Sequence, residues 1–117
     1  MTKPKTIFNG KPISVEFMEK QSEWIFSVVD VLSTIVQHTI PRNYWRNLKR
    51  VLIQENNPLL KKIVQLKMVS LKDGKTYKTD YLNKEWTLAL LSRLKIGIDY
   101  ESFFEWINQF ERKNRKL

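Results

Sequence analysis

Two prolines, Pro41 and Pro58, mark the ends of the most regular apolar pattern in the chain. Proline suits the first position of a helix, and it disfavours helical backbone in the residue before it. A helix is therefore predicted over residues 41–54, ending before the Asn56-Asn57-Pro58 sequence. About a third of its circumference is apolar, and we expect this side to pack in the core. The apolar side carries Tyr44, Trp45, Leu48, Val51 and Leu52.

The opposite side of this helix is polar but has no carboxylate before Glu55. A helix face that only contacts water usually mixes acidic and basic residues, because such pairs support the helix. Arginine and amide side chains pair with base edges and bind phosphates, and a helix fits the major groove of DNA. With a preceding helix and a turn at residues 38–40, the pattern allows a helix-turn-helix, although that turn has no glycine. The polar stripe consists of Asn43, Arg46, Asn47, Arg50 and Gln54, bordered by Arg42 and Lys49.

Two short sequences, Asn9-Gly10 and Asp73-Gly74, are typical of tight β-hairpins. The first hairpin is expected at a sheet edge, because Pro12 cannot donate to a strand ladder. Residues 23–26 suit a third strand. The second hairpin is predicted to have a two-residue loop, and residues 59–65 fit either a strand or a helical turn. This hairpin would place Lys72 opposite Lys75, Ser70 opposite Tyr77 and Lys67 opposite Asp80.

Three further helices are indicated by apolar spacing and by residues that cap helix N-termini. The candidate N-cap of a helix over residues 28–35 is Ser27. Two later helices would begin after their candidate N-caps, Asn83 and Asp99. The order of elements predicts an α+β domain of small antiparallel hairpins packed with about four helices. We expect one domain over residues 1–117, with a core from about 6 to 110 and a basic tail at 111–117. The last helix should bury Phe103, Trp106, Ile107 and Phe110.

The charge balance favours a polyanionic partner, because 21 basic and 12 acidic residues give a net charge of +9. Lysines near the second hairpin could equally protect an exposed sheet edge, and the basic tail could be a solvated end. Under the DNA-binding interpretation, the residues expected to contact phosphates are Arg42, Lys49, Lys61, Lys62, Lys72, Lys75 and Lys78.

Catalytic and cofactor sites find little support in the sequence. There is no cysteine and only one histidine, His38, so no zinc site or histidine-based triad is indicated. The three glycines form no phosphate-binding loop. We therefore predict no enzyme activity, cofactor or metal; a small metal-dependent nuclease is the least favoured alternative. That alternative would use Asp73, Asp80 and Glu85.

The linear arrangement of motifs resembles the Bro-N family, the N-terminal domain of baculovirus BRO proteins and of phage or prophage antirepressors. The likeness covers roughly residues 6–110 and is carried by "EWIFSVVDVLSTI", "IPRNYWRNLKRVL" and "LKDGKTYKTDYL". The resemblance implies an α+β DNA-binding domain, usually joined to a different C-terminal domain. Since this sequence stops at residue 117, it would be either an excised domain or a stand-alone version.

These observations predict a DNA-binding domain of a phage or prophage regulator, acting in the cytoplasm of a bacterial host. Duplex DNA would contact helix 41–54 and hairpin 67–80, with Asn43, Arg46, Asn47 and Arg50 facing the groove. The alternative is a module that binds and sequesters a repressor protein. No membrane association is expected, and the oligomeric state is left open between a monomer and a homodimer.

Overall fold

The computed structural model describes residues 6–35, 40–69, 73–94 and 100–115. They form an α+β fold, as expected from the order of elements. The strands are β1 (Ile7–Phe8), β2 (Lys11–Pro12), β3 (Val15–Met18), β4 (Glu23–Ser27), β5 (Val64–Val69) and β6 (Thr76–Asn83). The α-helices are α1 (Val28–Ser33), α2 (Pro41–Gln54), α3 (Lys84–Leu94) and α4 (Tyr100–Lys113), and a 3-10 helix spans Pro58–Lys62.

The first hairpin forms at Asn9-Gly10, as predicted. Asn9 has a φ of 53° and Gly10 a φ of 75°, which is the left-handed backbone that a two-residue turn of this type requires. Phe8 pairs with Lys11 across the turn, and β1 and β2 form a small antiparallel sheet of their own.

The main sheet has the strand order β3-β4-β6-β5, and every neighbouring pair is antiparallel. The strand expected at 23–26 is β4, one residue longer than predicted and central in the sheet. Of the eight residues of β6, only residues 81–83 pair with β4. Residues 76–80 of β6 therefore extend past β4, and in the described chain they pair with β5 alone.

Two apolar clusters cover the same face of the sheet, because the paired residues Phe26 and Leu82 point to one side. The first cluster packs Trp24 and Phe26 of β4 against α4. It includes Phe103, Ile107 and Phe110 of α4, which are buried as predicted, with Trp106 partly buried beside them. The second cluster packs Leu82 against α1, α2 and α3 through Val28, Leu32, Trp45, Leu52 and Leu90.

Two of the predicted helix caps are confirmed. The Ser27 hydroxyl accepts a hydrogen bond of 3.3 Å from the Asp30 amide, and the Asn83 side chain accepts one of 3.0 Å from the Trp86 amide. The third candidate cap, Asp99, lies outside the described residues. So do residues 38 and 39 of the turn expected at 38–40. Residues 59–65, for which the sequence fitted either a helical turn or a strand, form one after the other. The 3-10 helix ends at Lys62 and β5 begins at Val64.

The predicted register of the second hairpin is wrong by two residues. Gln65, and not Lys67, lies opposite Asp80, and Lys67 lies opposite Lys78. Within the described residues the last pair is Val69–Thr76, and Asp73, Gly74 and Lys75 lie outside the strands, so the loop is longer than the expected two residues. Ser70 and Lys72 lie outside the described residues.

Helix α2 has the predicted bounds but a different buried side. Its most buried residues are Trp45, 4% exposed, and Leu52, 0% exposed, whereas Val51 is 42% exposed and does not belong to the core. On a helical wheel the buried stripe is centred on Trp45 and Leu52, about 50° from its expected centre near Leu48. The rotation exposes Val51 and brings Lys49, on the other flank, towards the sheet.

None of the described helices is both long enough and apolar enough to cross a membrane.

Candidate nucleic-acid interface

The packing of α2 fixes which of its side chains face outward. Trp45 and Leu52 are held against Leu82 of β6 in the second apolar cluster, while Tyr44 and Leu48 are partly buried at its border. Five polar residues on the other side are all exposed, as predicted from the wheel: Asn43, Arg46, Asn47, Arg50 and Gln54. We call this set the α2 polar face.

The two arginines of the α2 polar face have no acidic partner among the residues that the structure describes. Within the described part of the chain, neither Arg46 nor Arg50 takes part in a salt bridge or hydrogen bond. The nearest carboxylate along the chain, Glu55 at the end of α2, is paired with Arg93 of α3. A hydrogen bond from Arg93 lowers the pKa of Glu55, so this carboxylate stays ionised and engaged elsewhere.

Lys49, which the sequence placed among the phosphate contacts, instead pairs with Asp80 of β6. Its ammonium lies 2.8 Å from Asp80 Oδ2, and the side chains are 32% and 6% exposed. The indole N–H of Trp45 donates to the same oxygen at 2.8 Å, and Gln65 donates to Oδ1 at 2.9 Å. The Lys49 charge is thus used within the fold, because the rotation of α2 turns it towards β6.

The ionised side chain of Asp80 links α2 to the sheet through the hydrogen bonds from Trp45 and Lys49. Burial alone would raise its pKa, but the hydrogen bonds from Lys49, Trp45 and Gln65, together with the Lys49 charge, outweigh burial and lower it. This network was not predicted from the sequence, because the predicted register placed Lys67, and not Gln65, opposite Asp80.

The register also creates a lysine pair that the sequence analysis missed. Lys67 and Lys78 lie directly opposite each other, and both are exposed. They point to the same side of the sheet as Asp80 and α2, because Lys78 is two residues from Asp80 and Lys67 two from Gln65. Like charges that face each other across a sheet are destabilising. The stability of the sheet therefore does not explain why two lysines face each other here, where β5 and β6 extend past β4.

Arg42 connects α2 to the same end of the hairpin. Its guanidinium lies 5.3 Å from the centre of the Tyr77 ring, in cation–π geometry. The Tyr77 hydroxyl donates to Asp73 in the turn, and this hydrogen bond raises the pKa of Tyr77. Lys75, also in the turn, donates its amide N–H to Asp73 at 2.9 Å and is exposed.

The structure thus groups some of the predicted site residues and separates others. Arg42, Arg46, Lys49 and Lys78 line one cavity between α2 and β6. Lys61 and Lys62 are exposed on the 3-10 helix, at the other end of β5 from Lys67. Lys72 lies outside the described residues.

No protein-family model, curated protein or solved structure matches this chain. The resemblance to the Bro-N family therefore stays a prediction from sequence motifs. Among the residues that the structure describes, no three acidic or histidine side chains are grouped as metal ligands. Asp80, one of the three carboxylates of the nuclease alternative, has hydrogen bonds to both of its oxygens.

Proposed function

We propose that this protein binds double-stranded DNA, with the α2 polar face in the major groove and the β5–β6 hairpin on the phosphate backbone. The observation that carries the proposal is the α2 polar face itself, exposed and without a carboxylate. Among the described residues Arg46 and Arg50 have no partner, and arginine and amide side chains have the hydrogen-bonding geometry that base edges and phosphates need.

Each element has a separate role in this proposal. Asn43, Asn47 and Arg50 point away from the sheet and are the base-reading candidates. Arg42, Lys67, Lys75 and Lys78 supply charge beside them, on the turn and on the end of the hairpin that extends past β4. A β-ribbon next to a helix can follow the backbone while the helix enters the groove.

The biological setting is part of the same proposal. The Bro-N resemblance suggests a DNA-binding domain of a phage or prophage regulator, working in the cytoplasm of a bacterial host. The high positive charge of +9 supports a polyanionic partner.

A salt titration tests this function. Fluorescence anisotropy with a labelled duplex should give an affinity that falls linearly on logarithmic axes between about 50 and 200 mM salt. With three or more phosphates neutralised, the slope should be about −3 or steeper. A single-stranded oligonucleotide of the same length, bound less tightly, serves as the comparison. No binding at low salt, or a slope near zero, would rule the function out.

A second candidate, capture of a repressor protein, is favoured by apolar side chains beside the α2 polar face. Val51 is 42% exposed and Ile53 is 59% exposed. Exposed apolar residues next to cationic ones suit an acidic protein surface. A pull-down from host lysate, with and without nuclease treatment, separates the candidates, because a repressor complex would survive nuclease whereas a DNA-bridged one would not.

A further inference from the structure

Strand β6 has a stretch of edge that β4 leaves uncovered. The last pair between the two strands is Ser27 with Tyr81, after which β4 ends and α1 begins. A cavity of about 380 Å³ lies at this point. It is lined by residues 78–81 of β6, by Ser27 and by side chains of α1 and α2. We call it the β6 edge cavity, because it lies beside β6 at the end of β4.

The direction of the backbone groups of β6 follows from the hydrogen bonds of β4. The Ser27 amide donates to the Ser14 carbonyl at 3.0 Å, on the β3 side of β4. Successive residues of a strand direct their backbone groups to opposite neighbours, so Phe26 faces β6, where its partner is Leu82. Counted back from Leu82 in steps of two, Lys78 directs its N–H and C=O to the same side. These groups of Lys78 lie beyond the last β4 pair, and within the described chain they have no hydrogen-bond partner.

An unpaired strand edge of this kind is a template for an added strand. Residues 78–81 span three steps along β6, about 10 Å, which matches about three residues of an extended peptide. The outer edges of β3 and β5 border the sheet, whereas this stretch of β6 lies inside it, next to the side chains of two helices. Those side chains determine which peptide fits.

The charges around the β6 edge cavity favour an acidic partner. Lys49 and Asp80 form an ion pair at 2.8 Å and neutralise each other. Of the other charged residues that line the cavity, three are cations and one is a carboxylate, which leaves an excess of two positive charges. The three cations are exposed, and neither Arg46 nor Lys78 forms an ion pair within the described residues. These four charged residues are Asp30, Arg42, Arg46 and Lys78.

We propose that the β6 edge cavity binds an acidic, extended segment of a partner protein, which pairs with Lys78 as an antiparallel strand beyond the end of β4. The residue opposite Lys78 exchanges two backbone hydrogen bonds with it. Its side chain points to the same side of the sheet as that of Lys78, so a glutamate there faces Arg42 and Arg46 of α2. The proposal does not rest on duplex binding by the α2 polar face or on the partner being a repressor.

Calorimetric titration of the full chain with capped pentapeptides tests the chemistry of the partner. The probe VEVEV alternates valine with glutamate, and VQVQV and VKVKV replace both glutamates with neutral or basic residues. At low salt, VEVEV should bind about tenfold more tightly than VQVQV, because two ion pairs between partly exposed groups contribute about this factor. VKVKV should not bind. Equal binding of the three peptides, or no binding of VEVEV at millimolar concentration, would overturn the proposal.

Two N-methylated forms of VEVEV separate strand pairing from attraction by charge alone. Methylation of both glutamate nitrogens removes the N–H groups that face β6 and should abolish binding. Methylation of the valine nitrogens removes N–H groups that face away from β6 and should leave the affinity largely unchanged. Equal affinities of the two forms would contradict strand pairing.

Amide hydrogen exchange measured by NMR locates the added strand. The Lys78 amide should exchange fast in the free protein and be protected at least about tenfold in the VEVEV complex. The Thr79 amide, which faces β5, should not change. No protection of Lys78 at saturating peptide would overturn the proposal. Protection in the protein alone that is lost on dilution would also overturn it, because a second copy of the chain would then occupy the edge.

Arg46→Gln tests the contribution of the α2 cations. This variant should weaken VEVEV binding several-fold, whereas Arg112→Gln, which removes the same charge from the exposed side of α4, should not. Equal losses would show that the overall charge of the protein, and not the β6 edge cavity, attracts the peptide, and would contradict the proposal.

Discussion

Helices α2 and α4 are both 14 residues long and both bury one apolar side against the same face of the sheet. Their outer sides differ. The exposed part of α4 mixes Glu101 and Glu105 with Arg112, as a solvated helix usually does. The exposed part of α2 has no carboxylate at all.

The difference shows which features the fold requires and which it does not. Both inner sides are needed to cover the sheet, and each supplies large apolar residues to a core cluster. Packing does not require the acid-free outer side of α2. Even within α2 two neighbours have different roles: Lys49 is held by Asp80, whereas Arg50 is exposed and unpaired in the described chain. The comparison predicts that variants on the inner side change stability and variants on the outer side change binding.

The largest effect is expected from Asp80→Ala. This change leaves Lys49 and the Trp45 indole without their acceptor, and breaking such a pair typically costs about 3–5 kcal/mol. Because Lys49 is one-third exposed, we expect about 3 kcal/mol, measured as the free energy of unfolding in urea.

The control for this variant is Glu105→Ala on the exposed side of α4, which should change stability by less than about 0.5 kcal/mol. If the two variants had the same stability, Asp80 would not be the group that holds α2 to the sheet.

Arg50→Gln should affect DNA affinity and leave stability unchanged. Loss of a base contact costs about 1–3 kcal/mol at a cognate site, or roughly 5- to 150-fold in affinity. Its matched control is Arg112→Gln, which removes the same charge from the exposed side of α4. Anisotropy titrations should show a loss for Arg50→Gln only; equal losses would indicate that overall charge alone governs binding.

Lys67→Gln should have opposite effects on stability and binding. Removing one member of the facing lysine pair relieves repulsion and should stabilise the fold by about 0.2–1 kcal/mol. The same change removes a phosphate contact and should make the salt slope less steep by about 0.9. Urea unfolding and salt titration of one preparation give both values. A loss of stability would mean that Lys67 has a structural role.

The pH dependence of stability should reveal Asp80 as well. Its pKa is lowered from 3.8 in the folded protein, so the unfolded state binds the proton more readily. The stabilisation is present above about pH 4 and is lost as pH falls through the lower, folded pKa. In urea unfolding from pH 7 to pH 2, Asp80→Asn should be less stable than wild type at pH 7, and this gap should narrow in acid. A constant gap would contradict the prediction.

The sequence predicted the bounds of α2 because a proline constrains each end. It failed on the register of β5 and β6 for a physical reason. A slip of two residues leaves every side chain on the same face, so the apolar pattern cannot distinguish the two registers. The pairs Gln65–Asp80 and Lys67–Lys78, and with them the role of Lys49, follow from tertiary contacts that no local motif encodes.

The most direct test of the central claim is NMR mapping of a labelled protein with a short DNA duplex at low salt. We expect shifts at Asn43, Asn47 and Arg50 of α2 and at Lys67 and Lys78 of the hairpin. The outer side of α4, including Glu101 and Glu105, should be unaffected. Shifts centred on α4, or none on α2 at saturating DNA, would contradict the assignment of DNA binding to the acid-free side of α2.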